Sequence, residues 1–160
     1  MEASILRELY SHGVAVPNIL GRRGNTLLLE YLPGEPLPDW IERGDYDPEA
    51  LAHALCDWFA AFYAVMPEGE MRGDVNGRNF LYDGTKIYSV DFEDRCFGGR
   101  AKDAGRLAAY IGTYRTRDPE KQAMLAEAFT RKFAARCECE PAFIFIEQEM
   151  ELKAMARRRK

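Results

Sequence analysis

Asp74, Asn79 and Asp91 are the residues of this 160-residue chain whose types and spacing could do chemistry. They fall in two short stretches, Met71-Arg72-Gly73-Asp74-Val75-Asn76-Gly77-Arg78-Asn79 and Ser89-Val90-Asp91-Phe92-Glu93-Asp94. Asp74 and Asn79 sit five positions apart in a loop, and Asp91 follows Asn79 by twelve, about the length of a strand, a turn and a strand back. A hairpin would therefore return Asp91 close to Asn79. A carboxylate and an amide oxygen brought together are hard oxygen ligands suited to Mg²⁺, which keeps water and phosphate oxygens as its other ligands. Asp74, at the other end of the loop, could accept a proton from an attacking hydroxyl. Taken singly, each of the three is equally a turn or cap residue, because short polar side chains bond their own backbone. Taken jointly, the spacing favours a site.

The elements that must position these residues can be read from periodicity and punctuation. Residues 2–12 carry Ile5, Leu6 and Leu9 at helical spacing and end at Gly13. Residues 17–20 and 26–31 read as strands around a turn at 21–25. Leu32-Pro33-Gly34-Glu35-Pro36-Leu37-Pro38 can continue neither a helix nor a central strand, and is the clearest break in the chain. Asp47-Pro48 caps a helix with Leu51, Leu55, Phe59, Phe62 and Met66 on one face, stopped by Pro67. Residues 80–82 and 86–90 are strands joined at Asp83-Gly84, the hairpin that the site requires. From Ala101 onward the pattern is helical, with new starts at Asp118-Pro119 and at Pro141, the last with Phe143, Ile146 and Met150 on one face. The expectation is an α+β chain, a small α/β piece followed by a larger helical body that holds one hairpin.

The loop and hairpin together resemble the catalytic loop and metal-binding segment of the protein-kinase-like superfamily, whose signatures are H-R-D-L-x-x-x-N and D-F-G. The aminoglycoside phosphotransferase and choline kinase branch, with H-G-D-x-x-x-x-N and D-F-E or D-W-E, is the closer match to Arg72-Gly73-Asp74 through Asn79 and Asp91-Phe92-Glu93. Glu2 through Pro17 looks like the family's first-lobe helix and its exit into a strand. Leu28-Leu29-Glu30-Tyr31-Leu32-Pro33-Gly34 looks like the strand and hinge whose backbone meets the adenine. Asp103-Ala104-Gly105-Arg106-Leu107 looks like the segment whose Asp braces the catalytic loop. The resemblance covers most of residues 2–115, and the last 45 residues fit only as generic helices.

The resemblance implies a kinase-like fold with a truncated N-terminal lobe at 1–34 (helix, two strands and hinge) and a helical C-terminal lobe at 35–160 holding the catalytic-loop hairpin. It implies Mg²⁺-dependent transfer of the γ-phosphoryl group of ATP or GTP to a hydroxyl of a small molecule or protein. Asp74 would be the base, Asn79 and Asp91 the metal ligands, and Glu30 and Leu32 the hinge contacts to the nucleotide. Two departures bear on this. Arg72 stands where the family usually has His. The glycine-rich phosphate cover and phosphate-binding Lys, which precede the helix in the family, have no counterpart here, so Glu2 lacks the partner that a kinase Lys provides. The alternatives are a weak or inactive kinase-like binding protein, or a fragment of a longer kinase. A second copy of the chain could cover the sheet edge that the missing strands leave.

Composition narrows the field further. With 22 Lys and Arg against 26 Asp and Glu the net charge is −4, so the chain as a whole is not built to bind nucleic acid. Hydrophobic residues at 47% and charged residues at 30% exclude wholesale disorder. No apolar run suggests a membrane span, and the acidic start does not read as a signal peptide, which makes the cytoplasm the expected location. Cys56, Cys96, Cys137 and Cys139 lack paired metal-ligand spacing and read as reduced thiols. Arg72 and Arg78 read as surface ion pairs, Trp40, Trp58 and residues 59–63 as core, and Arg157-Arg158-Arg159-Lys160 as a complement to a helix dipole. Glu93 and Asp94 read as solvated or structural, and the two histidines carry no catalytic pattern.

Overall fold

A computed structural model describes residues 2–92 and 96–158. Glu93 and Asp94, and the last two residues of the basic C-terminal run, lie outside the described residues.

Helix α1 (Glu2–Ser11) buries Ile5, Leu6 and Leu9, the apolar stripe of its sequence. Strands β1 (Ile19–Arg23) and β2 (Thr26–Leu29) form an antiparallel hairpin with a bulge between Ile19 and Gly21. The turn is shorter than expected: β1 runs on to Arg23, because Gly24 at φ 59 supplies the left-handed residue a tight turn needs.

The proline-rich break is not bare loop. Strand β3 (Glu35–Pro36) is the edge of a three-stranded sheet, beside β5 (Phe80–Tyr82) and then β6 (Ile87–Ser89), and helix α2 (Leu37–Arg43) starts directly after it. Both placements suit proline, which is tolerated on a sheet edge and in the first turn of a helix. Gly34, at φ 107, lets this segment pass the Tyr82 backbone, where an added Cβ would come within 2.8 Å.

Helix α3 (Pro48–Val65) begins where Asp47 accepts a 2.7 Å bond from the Ala50 N–H. Its inner face centres on Phe59, whose ring lies 5.5 Å from Phe80, 5.4 Å from Phe133 and 6.3 Å from Phe129. Trp58 also belongs to this core, and its indole N–H donates to the Ala15 carbonyl at 3.0 Å. Strand β4 (Glu70–Met71) pairs with β7 (Cys96–Phe97), a two-residue ladder too short to show periodicity in the sequence. Between them lie a 3₁₀ turn at Gly77–Asn79 and the hairpin β5 (Phe80–Tyr82) and β6 (Ile87–Ser89).

Helices α4 (Arg100–Thr113), α5 (Pro119–Arg136) and α6 (Pro141–Arg158) complete the body. Helix α6 crosses α4 at Gly105, where a Cβ would meet the Gln148 N and Glu147 Cβ at 2.6 Å. That close crossing turns the stripe of Phe143, Ile146 and Met150 outward, each more than half exposed, and buries Ile144 instead. The chain is α+β, with small sheets near the N-terminal and central segments and a helical C-terminal part.

Candidate active site

The loop that carries Asp74 is held from below by one buried carboxylate. Asp103, on α4 and 0% exposed, accepts from the Arg72 N–H at 2.6 Å, the Gly73 N–H at 3.0 Å and the Tyr63 hydroxyl at 2.7 Å. Burial raises its pKa above the ordinary aspartate value, and the three donors work against that rise. Gly73 takes φ 82 directly before Asp74, and a Cβ there would meet the Cys96 Sγ at 2.4 Å. The far end of the loop is pinned by Tyr114, whose hydroxyl accepts the Gly77 N–H at 2.7 Å.

Within this frame Asp74 is exposed and Asn79 is buried. One Asp74 carboxylate oxygen accepts the Asn76 N–H at 3.1 Å, and the other accepts the Asn79 side-chain N–H at 3.0 Å. With its NH₂ group committed to a carboxylate, the Asn79 amide turns its oxygen away from Asp74.

The hairpin register sets Phe80 opposite Ser89, and the Val90 N–H donates to the Asn79 carbonyl at 3.0 Å. Asp91, the next residue, is exposed and holds φ 62, one of two non-glycine residues among those described in the left-handed region. Such a conformation costs of order 1–3 kcal/mol and persists only where the surroundings impose it.

Arg72 is what imposes it. The side chain is not on the surface, as an ion-pair role would require, but 4% exposed. Its guanidinium donates to the Val90 carbonyl at 2.6 Å, the Asp91 carbonyl at 2.8 Å and the Ser89 hydroxyl at 3.3 Å, and lies 4.1 Å from the centre of the Phe92 ring. Burial lowers its pKa, and Asp74, Asp103 and Asp91 act against that. Arg72 thus fastens the loop that carries Asp74 to the segment bearing Asp91, a role no local pattern marks. Arg78 is exposed.

Glu30 and Leu32, the expected nucleotide contacts, follow the β1–β2 hairpin. Glu30 clasps the base of the β1–β2 hairpin: its N–H donates to the Asn18 carbonyl at 2.8 Å, and its carboxylate accepts the Asn18 N–H at 3.1 Å. Leu32 is buried. The chain that follows them joins the β5–β6 hairpin, Glu35 pairing with Tyr82 and Pro36 with Leu81.

Among the described residues no three His, Cys, Asp or Glu side chains gather as a metal cluster. Mg²⁺ takes most of its ligands from phosphates and water and needs few from a protein.

Over 91 residues the chain is 32% identical to the EKC/KEOPS complex subunit BUD32 of Encephalitozoon cuniculi (strain GB-M1), an alignment covering 57% of this chain and 44% of that protein. The chain therefore matches less than half the length of this curated relative. No protein-family model matches the chain. The similarity supports a protein-kinase-like relationship, and the α+β architecture, with little strand in its N-terminal part and a helical C-terminal part, is compatible with a kinase-like fold. The similarity does not single out the aminoglycoside phosphotransferase and choline kinase branch. No described helix is long and apolar enough to cross a membrane.

Proposed function

We propose that the chain is a kinase-like phosphotransferase that moves the γ-phosphoryl group of ATP or GTP to a hydroxyl of a small molecule or protein, in the manner of the aminoglycoside phosphotransferase and choline kinase branch. Asp74 orients the acceptor hydroxyl and takes its proton. The acceptor oxygen forms a bond to the γ-phosphorus as the bond from that phosphorus to the bridging oxygen breaks. The products are a phosphomonoester and a nucleoside diphosphate. Bound Mg²⁺ would neutralise charge on the phosphates, with Asn79 and Asp91 as its protein ligands. Glu30 and Leu32 meet the nucleotide base from the hinge, and the division of the chain at residues 34 and 35 separates that hinge from the catalytic body. What supports the reading most is the 3.0 Å bond from the Asn79 amide to the Asp74 carboxylate, in a loop whose hairpin leads back to Asp91.

The test is phosphate release or transfer from Mg²⁺-ATP, over a panel of hydroxyl acceptors and water. Asp74→Asn should lower turnover by roughly 10²–10⁴-fold, the range of a positioned base, and leave nucleotide affinity nearly unchanged. A wild type no faster than Asp74→Asn on every acceptor contradicts the proposal.

A further inference from the structure

Asp74 also lines a cavity of about 420 Å³ between the catalytic loop and the crossing of α4 and α6. Across it stand Arg106 and Tyr110 of α4 and Glu151 and Arg158 of α6. Glu151 is 9% exposed and is held between the two arginines: the Arg106 Nε lies 3.6 Å away, and an Arg158 Nη bonds the other oxygen. Arg106 also donates to the carbonyl of Gly73, the residue before Asp74, at 3.4 Å. Arg158 is therefore not simply a charge at a helix end. It turns back toward the loop, its side chain 60% exposed.

Two guanidiniums share one carboxylate in this wall. A guanidinium has five N–H donors, so the pair keeps unused donors, and against Glu151 it leaves this wall one positive charge in excess, with the Asp74 carboxylate lining the same cavity. The volume suits a small molecule. An anionic group placed against the arginine wall would be held there, whereas an amine would be repelled from it.

We propose, building on the phosphotransferase reading, that this cavity receives the acceptor and selects small hydroxyl compounds bearing a phosphate or carboxylate. Arg106 and Arg158 hold the anionic group, and the hydroxyl lies at Asp74.

The test is calorimetric titration of the full chain, at low salt and without nucleotide, using sn-glycerol 3-phosphate, D-glycerate and choline as probes. The two anions separate a phosphate preference from a carboxylate preference. At least one anion should bind and choline should not. Arg158→Gln should weaken the anion roughly tenfold or more, as should Arg106→Gln. Arg158→Gln carries the test if the Arg106 variant fails to fold. Binding of choline in preference to both anions, anion binding indifferent to Arg158→Gln, or no anion binding would each overturn the assignment. Anion binding that depends on Arg158 in a chain that fails to bind Mg²⁺-ATP would sustain the cavity's selectivity and refute the phosphotransferase reading, so the two failures are distinguishable.

Discussion

The guanidinium of Arg72 donates to the backbone carbonyl of Asp91 at 2.8 Å, across 19 positions of sequence. The residue two positions before Asp74 thus fixes the backbone of the proposed metal-binding carboxylate. The same guanidinium covers the ring of Phe92, so the position and the left-handed backbone of Asp91 depend on one buried side chain.

Arg72→Ala should accordingly destabilise the fold by about 2–3 kcal/mol, the scale of lost charge-assisted hydrogen bonds in a buried setting. Arg72→Lys should recover only part, because an ammonium cannot reproduce the planar fork or its stacking on Phe92. Urea denaturation of the three proteins measures this. Equal midpoints would remove Arg72 from the account.

Asp103→Ala leaves the Arg72 N–H, the Gly73 N–H and the Tyr63 hydroxyl without their acceptor. The expected loss is about 3–5 kcal/mol, as for removing one side of a buried charged network. Tyr63→Phe removes one donor and should cost about 1 kcal/mol. A double-mutant cycle by denaturant unfolding should show the two coupled.

Gly34→Ala forces an L side chain into φ 107 and onto the Tyr82 backbone. The conformation alone costs about 1–2 kcal/mol, and the clash adds to it by prising β3 from β5. Thermal unfolding should show a lowered midpoint, whereas Gly24→Ala, with open space around its Cβ, should lower it less.

Two buried tyrosines, Tyr46 and Tyr63, and the half-buried Tyr114 give the pH dependence. Tyr46 and Tyr114 are pushed up to about 12, chiefly by burial; Asp118 adds to this for Tyr46, and the Gly77 N–H opposes it for Tyr114. Tyr63 is also raised, by burial first and then by Asp103. A folded-state pKa above the unfolded value means that the unfolded chain ionises first. Stability from these groups is therefore complete below pH 10.0 and is lost as the pH rises toward about 12. A phenolate absorbance titration should show these tyrosines ionising late, together with unfolding. A single early transition of all tyrosines would contradict the packing.

Much of this was legible in the sequence where the signal is local. Asp47-Pro48 and Pro67 bound α3 because a cap, a first-turn proline and a terminating proline act within a few residues. Asp83 marked the β5–β6 hairpin by accepting the Thr85 and Lys86 N–H groups at 2.9 and 2.7 Å. The unread parts are non-local. Arg72 looks like any loop arginine until Val90 and Asp91 fold back to it. The stripe on α6 announces an amphipathic helix but not which side is covered, and the contact at Gly105 settles that for Ile144. Strands β4 and β7 are two residues each, below the length at which alternation can be seen.

The central claim, that Asp91 and Asn79 hold a nucleotide-bound metal beside Asp74, is tested most directly by calorimetric titration of ATP with and without Mg²⁺. The proteins to compare are the wild type and Asp91→Asn. The account predicts Mg²⁺-dependent binding by the wild type and at least about tenfold weaker binding by Asp91→Asn, which lacks the charged ligand. Binding that ignores Mg²⁺, or an Asp91→Asn protein that binds Mg²⁺-ATP as well as the wild type, would contradict it.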